Sequence, residues 1–274
     1  MCRLFAFVSP DRSTAERELG DSGMESLRSL ARLHGDGWGW AGVASPGDHP
    51  VLRKAASSAA SDPAFADTMG RSVRAAVAHL RWATSGLPVR PENAHPFSSG
   101  RFAFAHNGSL KPIGLIRGML TSEQLAGLEG DTDSEMYFTL IRERVAAGVP
   151  LAEAALEVAR LLREAYPLAS LNALILDRDQ LVVVHACALS ILSDDDLGAI
   201  ARFDRLPDEH NEDYYALRWK HAADGTVLVG STGVAGRGWQ AMPPESVTAI
   251  DLRDRTSETV ALAGARVPAT VGSR

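Results

Sequence analysis

Apolar positions alternate with polar ones over short stretches toward both ends of the chain, whereas in its middle they recur three and four residues apart. The first pattern is typical of strands and the second of helices. Helices are predicted at residues 132–147 and 151–165, and a broken helical spacing over 13–33 predicts two short helices that separate near Gly20. Strands are predicted at residues 3–8, 37–43, 74–81, 101–106, 171–176, 181–189, 215–221, 227–231, 247–252 and 259–262.

This order, strands followed by two central helices and then strands again, favours an α+β fold with mostly antiparallel sheets. Two stacked sheets with helices on their outer faces, a four-layer αββα sandwich, would use every element. We expect one domain over residues 1–274, with a mobile tail at 263–274. The alanine-rich segment 55–66 is interpreted as a surface helix and loop, and the acidic segment 193–213 as an insertion or lid.

Charge and hydropathy narrow the class of ligand. The 274 residues carry a formal net charge of -6, which argues against nucleic acid or an anionic membrane as partner, since both select a basic face. No apolar run is long enough to cross a bilayer, and the first residues lack the pattern of a secretory signal. The sequence therefore predicts a cytoplasmic protein that acts on a small molecule.

The two cysteines have different surroundings. Cys187 lies in the apolar run 181–189, where packing in a buried strand is the simplest interpretation. Cys2 follows the initiator Met1, and removal of Met1 would leave an amine and a thiol on one residue. That amine could act as general base while the thiolate attacks an amide carbon and forms a thioester. By itself this signal is weak, because a cysteine at position 2 is more often an incidental residue.

Two polar motifs end predicted strands. Arg81 and Trp82 precede a turn, where the guanidinium could hold a carboxylate in a bidentate manner, although a surface ion pair beside a core tryptophan is the simpler alternative. Asn107 and Gly108 also follow a strand. Asn-Gly commonly forms a hairpin turn, but the asparagine amide and the glycine N–H can also form an oxyanion hole.

A third motif opens a predicted helix. Thr132 and Glu135 fit a capping box, which does not require the intervening Asp133, so this carboxylate near the helix N-terminus could receive a substrate ammonium group. A metal site is an alternative use of the nearby polar residues, but their spacing matches no metal-binding pattern, so we expect no metal and no cofactor. The residues that this alternative would use are His34, Asp36, His95 and His106.

Together the motifs resemble the glutaminase domain of class II glutamine amidotransferases, members of the N-terminal nucleophile hydrolase superfamily, whose fold is the αββα sandwich. The resemblance rests on Cys2, on Arg-Trp-Ala-Thr at 81–84, on His-Asn-Gly at 106–108 and on Thr-Asp-Ser-Glu at 132–135. It implies that Cys2 is the nucleophile, its amine the base, and Asn107 with Gly108 the oxyanion hole. Substrate-binding residues implied by the resemblance are Arg81 for the α-carboxylate, Asp133 for the α-ammonium, and Trp82, Thr84 and His95 in the glutamyl pocket.

The chain differs from many relatives at Ser85, where they carry histidine, and at Thr232-Gly233, so the finer pocket contacts stay open. Its length leaves no room for a synthase domain, which favours a stand-alone subgroup that includes the γ-glutamyl hydrolase of ergothioneine biosynthesis. We expect a hydrolase that cleaves a γ-glutamyl amide to glutamate plus ammonia or an amine. The alternatives are a glutaminase subunit that serves a separate synthase or peptidase subunit, and a non-catalytic γ-glutamyl-binding module.

Overall fold

The computed structural model of the protein describes residues 2–83, 87–203, 206–207, 213–236 and 238–263, together with the backbone of 266–267. Its strands form two sheets of seven strands each, and all neighbouring strands pair in antiparallel fashion. The first sheet comprises β1 (Arg3–Ser13), β2 (Trp38–Val43), β3 (Val51–Ala55), β4 (Val73–Leu80), β9 (Leu217–His221), β10 (Val227–Ser231) and β11 (Gln240–Ala241). Its order is β11-β9-β10-β1-β4-β2-β3.

The strands of the second sheet are β5 (Phe97–Ser98), β6 (Phe102–Asn107), β7 (Asn172–Asp177), β8 (Gln180–His185), β12 (Ser246–Asp251), β13 (Ser257–Ala261) and β14 (Arg266–Val267). Their order is β14-β13-β12-β8-β7-β6-β5. The described helices are α1 (Ala15–Leu33), α2 (Pro63–Met69), α3 (Ile113–Arg117), α4 (Ser122–Ala126), α5 (Asp133–Ala146), α6 (Leu151–Ala165), α7 (Asp194–Ile200) and a 3-10 turn at Pro91–Asn93.

Three apolar layers hold the sandwich together because side chains on a strand point alternately to the two faces of its sheet. Small residues such as Ala6 and Ala105 fill the space between the sheets. Large residues on the opposite faces pack against helices: Phe7 of β1 lies with Leu27 of α1, and Phe104 of β6 lies with helices α5 and α6. The layers therefore follow the predicted order helix, sheet, sheet, helix, and the αββα prediction is confirmed.

Several local predictions differ from the structure. The strand predicted over 181–189 ends at His185, so Cys187 lies beyond it and is only partly buried. In segment 55–66 a helix begins only at Pro63, where Asp62 caps it. The acidic segment contains the short helix α7, which begins after the N-cap Ser193. The break in the first helix is confirmed, because Gly20 adopts φ 64° inside α1.

Part of the expected mobile tail forms the two-residue strand β14, which pairs with β13, and the rest of that tail lies outside the described residues. In the described part of the chain, no helix has the length and apolar character that crossing a bilayer would require.

Candidate active site

The first residue of the candidate site lies at the N-terminal end of β1, facing the end of β6 in the other sheet. The backbone N–H of Cys2 donates to Oδ1 of Asn107 at 2.9 Å. The thiol sulfur lies 3.9 Å from the backbone carbonyl oxygen of Trp82. Both Cys2 and Asn107 are buried. One hydrogen bond therefore joins the two sheets at the nucleophile predicted from the sequence.

The Asn107 carboxamide has a free donor. Its oxygen accepts from Cys2, which leaves Nδ2 buried and without a hydrogen-bond partner in the described structure. Buried polar nitrogens are rarely left unpaired, and such exceptions are often found at functional sites. An Nδ2 that is free beside the nucleophile is what an oxyanion-stabilising donor requires.

The chain leaves β6 without forming the hairpin that the Asn-Gly pair would allow. Strand β6 pairs with β5 and β7, and the residues after Gly108 lead to helix α3. A Cβ atom at position 108 would lie 1.9 Å from the carbonyl oxygen of Ser170 and 2.5 Å from Nε2 of His106. Glycine at this position is therefore required by the close approach of Ser170, and the hairpin interpretation is wrong.

Arg81 directly follows β4 and lies at the same level of the sheet as Cys2. Strands β1 and β4 pair Arg3 with Leu80, so the next residues along the ladder are Cys2 and Arg81. The Arg81 side chain is only 3% exposed, and its guanidinium donates to the carbonyl oxygens of Asp36 and Pro88, both at 3.3 Å. Burial lowers the pKa of this guanidinium, while Cys2 and Asp36 act in the opposite direction. The surface ion-pair alternative does not fit this buried cation.

Trp82 and the residue after it connect the site to the turn that follows α1. The Trp82 ring meets His34 edge-on, with centroids 5.6 Å apart. The backbone N–H of Ala83 donates to Oδ2 of Asp36 at 2.8 Å. Asp36 thus holds the backbone beyond Arg81 in place.

Asp133 occupies the first turn of α5 and is 8% exposed. Its Oδ1 accepts from the backbone N–H of Ser134 at 2.9 Å, and its Oδ2 accepts from the backbone N–H of Leu110. The carboxylate therefore connects helix α5 to the loop that follows Asn107. It also lines an open cavity of about 330 Å³ together with Leu87, Ser109, Leu110, Lys111, Pro112 and Ile113.

Only one of the two hydrogen bonds of the predicted capping box forms at the N-terminus of α5. Oγ1 of Thr132 accepts from the backbone N–H of Glu135 at 3.1 Å. The Glu135 carboxylate does not complete the capping box but accepts from the backbone N–H groups of Glu129 and Gly130, at 2.7 and 2.8 Å. Glu135 thus holds the loop that precedes the helix.

His95 lies in a buried stack of rings. Its centroid is 4.2 Å from that of His79 and 4.8 Å from that of Phe97. Neither histidine has a hydrogen-bond partner for its ring nitrogens in the described structure. Burial lowers the pKa of His79 to about 3 and that of His95 well below its usual value, so both rings are neutral. Contact of His95 with a substrate stays a prediction.

His106 lies behind Asn107 with both ring nitrogens engaged. Nδ1 is 2.9 Å from Oγ of Ser134 and Nε2 is 3.0 Å from the carbonyl oxygen of Ser170. Burial lowers its pKa, and Asp133 partly opposes that effect. Oγ of Ser170 also donates to the Asn107 carbonyl oxygen at 2.7 Å, so Ser170 contacts both His106 and Asn107.

Thr84 lies outside the described residues. Among the residues that the structure does describe, no three His, Cys, Asp or Glu side chains are grouped so that they could hold a metal ion. The site residues missed from the sequence are Arg3 and Ser170. Ser170 belongs to no motif, and only the three-dimensional structure brings it to Asn107. Arg3 follows Cys2 directly, but nothing in the sequence indicates that its side chain is buried and reaches Tyr214.

Comparison with known families agrees with this arrangement. The family model described as glutamine amidotransferases class-II matches residues 1–246, which is most of the chain. The chain belongs to the class-II glutamine amidotransferases. Members of this family hydrolyse the amide of glutamine with an N-terminal cysteine, so the match agrees with Cys2 as the reacting residue.

Curated relatives of this class-II amidotransferase include glutamine–fructose-6-phosphate aminotransferases. That of Aeropyrum pernix is 34% identical over 150 residues, which are 53% of this chain and 24% of the relative. That of Methanothermobacter thermautotrophicus is 31% identical over 182 residues, 63% of this chain and 28% of the relative. The chain thus spans about a quarter of the length of these relatives.

Solved structures share the fold of this class-II amidotransferase. The glutamine phosphoribosylpyrophosphate amidotransferase of B. subtilis superposes with a TM-score of 0.63 at 17% identity, over 95% of this chain and 49% of that one. A glutamine aminotransferase class-II domain protein from Silicibacter pomeroyi gives 0.58 at 18% identity, over 95% of this chain and 100% of that one. The chain therefore shares the fold of these two structures.

Proposed function

We propose that the protein is a cysteine hydrolase that cleaves a γ-glutamyl amide, either glutamine or a substituted γ-glutamyl compound, to glutamate plus ammonia or an amine. The observation that carries this proposal is the pairing of Cys2 with Asn107. The Cys2 nitrogen, the base of the proposed reaction, is held by Oδ1, and the Nδ2 donor of the same amide is buried and free.

Removal of Met1 frees the Cys2 amine, which takes the thiol proton directly or through a water molecule. The thiolate attacks the γ-carbonyl carbon, and the carbonyl oxygen becomes an anion that Asn107 Nδ2 and the Gly108 N–H stabilise. The protonated amine of Cys2 returns a proton to the leaving nitrogen as the C–N bond breaks. Water then attacks the thioester, releases glutamate and restores the thiol.

The substrate head would lie between opposite charges. Arg81 is a buried guanidinium at the level of Cys2, and Asp133 is a buried carboxylate in the first turn of α5 that accepts from the loop beyond Asn107. A γ-glutamyl head carries one carboxylate and one ammonium, so this pair matches its charges. Thr84, Trp82 and His95 complete the proposed pocket.

A second candidate is a glutaminase subunit that delivers ammonia to a separate synthase. It is favoured by the relatives, in which the matched region is about a quarter of a longer chain. It is also favoured by large apolar side chains that stay exposed on cavities beside the site, Ile113 near Asp133 and Ile191 near Ala83. A docked partner would cover such side chains.

The test measures glutamate released from glutamine and from a panel of γ-glutamyl peptides and amides, with intact mass recorded for every preparation. Cys2→Ala is compared with Cys187→Ala, which removes the other cysteine of the chain. We expect turnover only in protein that has lost Met1. Cys2→Ala should abolish this turnover, and Cys187→Ala should retain it.

Activity of Cys2→Ala within about tenfold of the wild type would contradict the mechanism. Retained Met1 with ligand binding but no turnover would favour the non-catalytic binding module. Turnover of glutamine that rises only when a synthase is added would favour the second candidate.

A further inference from the structure

A full positive charge lies inside the protein one residue after the nucleophile. Arg3 is the first residue of β1, and its side chain is 1% exposed. Its Nη1 donates to the carbonyl oxygen of Cys2 at 3.3 Å and to that of Tyr214 at 3.0 Å. The guanidinium carbon lies 3.7 Å from the centre of the Tyr214 ring. Arg3 thus contacts both the nucleophilic residue and the segment that precedes β9.

This charge lacks a resident counter-ion in the described structure. The ion pairs found among the described residues do not include Arg3, and its Nε and Nη2 are buried with no hydrogen-bond partner. Burial of a cation is costly unless an anion or a full set of hydrogen bonds compensates it. A site that retains such a cation is suited to an anion that forms there only transiently.

The Cys2 thiolate of the proposed reaction would be that anion, and Nη1 of Arg3 reaches the carbonyl oxygen of the same residue at 3.3 Å. A positive charge close to a cysteine stabilises the thiolate when it forms. Burial lowers the pKa of Arg3, whereas Tyr214 and Cys2 oppose that effect.

The other contact of Arg3 holds residues 213–216, which precede β9 and are called the Tyr214 strap below. The Tyr214 carbonyl oxygen accepts from Arg3 and, at 3.2 Å, from Oγ1 of Thr232. Tyr214 and Tyr215 pack with Ile200 of α7. Arg3 therefore links the nucleophilic residue to the strap, and the strap in turn packs against α7.

We propose that Arg3 is a positioning residue, which presents a buried positive charge to the Cys2 thiolate and clamps the Tyr214 strap to the Cys2 carbonyl. The role rests on the proposed function of Cys2 as nucleophile. It can be measured without substrate, because alkylation of Cys2 reports formation of the thiolate directly.

The experiment uses the full chain with Cys187→Ala in every protein, so that iodoacetamide labels only Cys2. The rate of labelling is followed by intact mass between about pH 6 and pH 9, for the parent, Arg3→Lys, Arg3→Gln and Arg12→Met. Arg12 is an exposed arginine on the same strand and serves as the matched control. Glutamate release and thermal unfolding are measured in parallel.

In Arg3→Gln we expect labelling near neutral pH to slow by about tenfold and its pH profile to move to higher pH. Arg3→Lys keeps the charge but cannot bridge two carbonyl groups while stacking on Tyr214. It should keep the parent labelling profile and lose kcat more than it changes KM. Arg12→Met should match the parent in every measurement.

A folded Arg3→Gln with the parent labelling profile would overturn the proposal. If Arg3→Gln does not fold, Arg3→Lys decides, because a labelling profile shifted away from the parent despite the retained charge overturns it equally. Failure of the proposed function is distinguishable, since turnover that survives Cys2→Ala would refute the nucleophile while the labelling profiles still report on Arg3.

Discussion

At the scale of single residues, the two polar atoms of the Asn107 side chain have different surroundings. Oδ1 accepts a hydrogen bond from the Cys2 nitrogen, whereas Nδ2 has no acceptor among the described residues. A carboxylate of the same shape would keep the acceptor and lose the donor. Substitutions at this position therefore separate positioning of Cys2 from stabilisation of the oxyanion.

Asn107→Asp and Asn107→Ala should each reduce kcat by about a hundredfold or more, because both remove the oxyanion donor. Asn107→Ala should also loosen Cys2, so its loss should be the larger. Steady-state kinetics on the best γ-glutamyl substrate provide the measurement. An effect on KM alone would mean that the amide binds the substrate head instead.

Arg81→Lys should raise KM for the γ-glutamyl substrate by about tenfold to a hundredfold and leave kcat less affected, since a charged hydrogen bond to the substrate carboxylate is worth about 1.5–3 kcal/mol. Arg90→Lys is the control, because Arg90 pairs with Asp131 at the surface. Unchanged kinetics in Arg81→Lys would contradict the proposed carboxylate contact.

At the scale of elements, the long periodic helices and the central strands could be predicted, whereas short elements could not. Helices α3 and α4 have five residues each, too few to show a helical period. Strand β3 is missed because its residues are partly exposed at a sheet edge, without clear alternation. The hairpin turn expected for the Asn-Gly pair does not form, because the chain continues from β6 into helices before it reaches the next strand, β7.

The candidate site divides in the same way. Cys2, Arg81, Asn107 and Asp133 could be predicted because each belongs to a recognisable motif, and the structure brings Cys2 to Asn107 and to the level of Arg81. Arg3 could not be predicted. The first seven residues of β1 are buried on both faces of the sheet, so alternation gives no sign of where a polar side chain points.

Gly108→Ala should reduce kcat strongly, because the new Cβ would force the loop away from the Ser170 carbonyl oxygen and move the oxyanion donors. Kinetics and thermal unfolding should be measured together. Gly114→Ala in α3 is the matched control, since a Cβ there meets nothing within 4 Å. Equal kinetics in the two variants would show that the loop tolerates a side chain.

At the scale of the whole molecule, several neutral histidines lie within the sandwich. Burial lowers the pKa of His79, His95 and His106 below the value of an exposed histidine. Above about pH 6.5 these rings are neutral in both the folded and the unfolded chain, so there they do not make the free energy of unfolding depend on pH. Below it the unfolded chain binds protons that the folded protein does not, so stability falls as the pH falls.

In His79→Leu the free energy of unfolding should fall less steeply as the pH is lowered. The slope should be smaller by about 1.4 kcal/mol per pH unit between about pH 6 and pH 5. The pKa of His79 is lowered to about 3, so the wild-type ring stays neutral throughout that interval. Urea unfolding at several pH values provides the free energies, with the exposed His49→Gln as control. The same slope in His79→Leu and wild type would argue against a neutral, buried His79.

The bond between Cys2 and Asn107 has a consequence for how the molecule is assembled. Every proposed catalytic or binding residue lies between Cys2 and Asp133, yet β1 is flanked by β10 and β6 by β7, which come from the later half of the chain. A fragment carrying all of those residues would keep β4 beside β1 and the short β5 beside β6, but it would lack β10 and β7 on the other side of each strand. Activity should therefore return only when separately produced halves reassociate, which makes turnover a direct assay for completed folding.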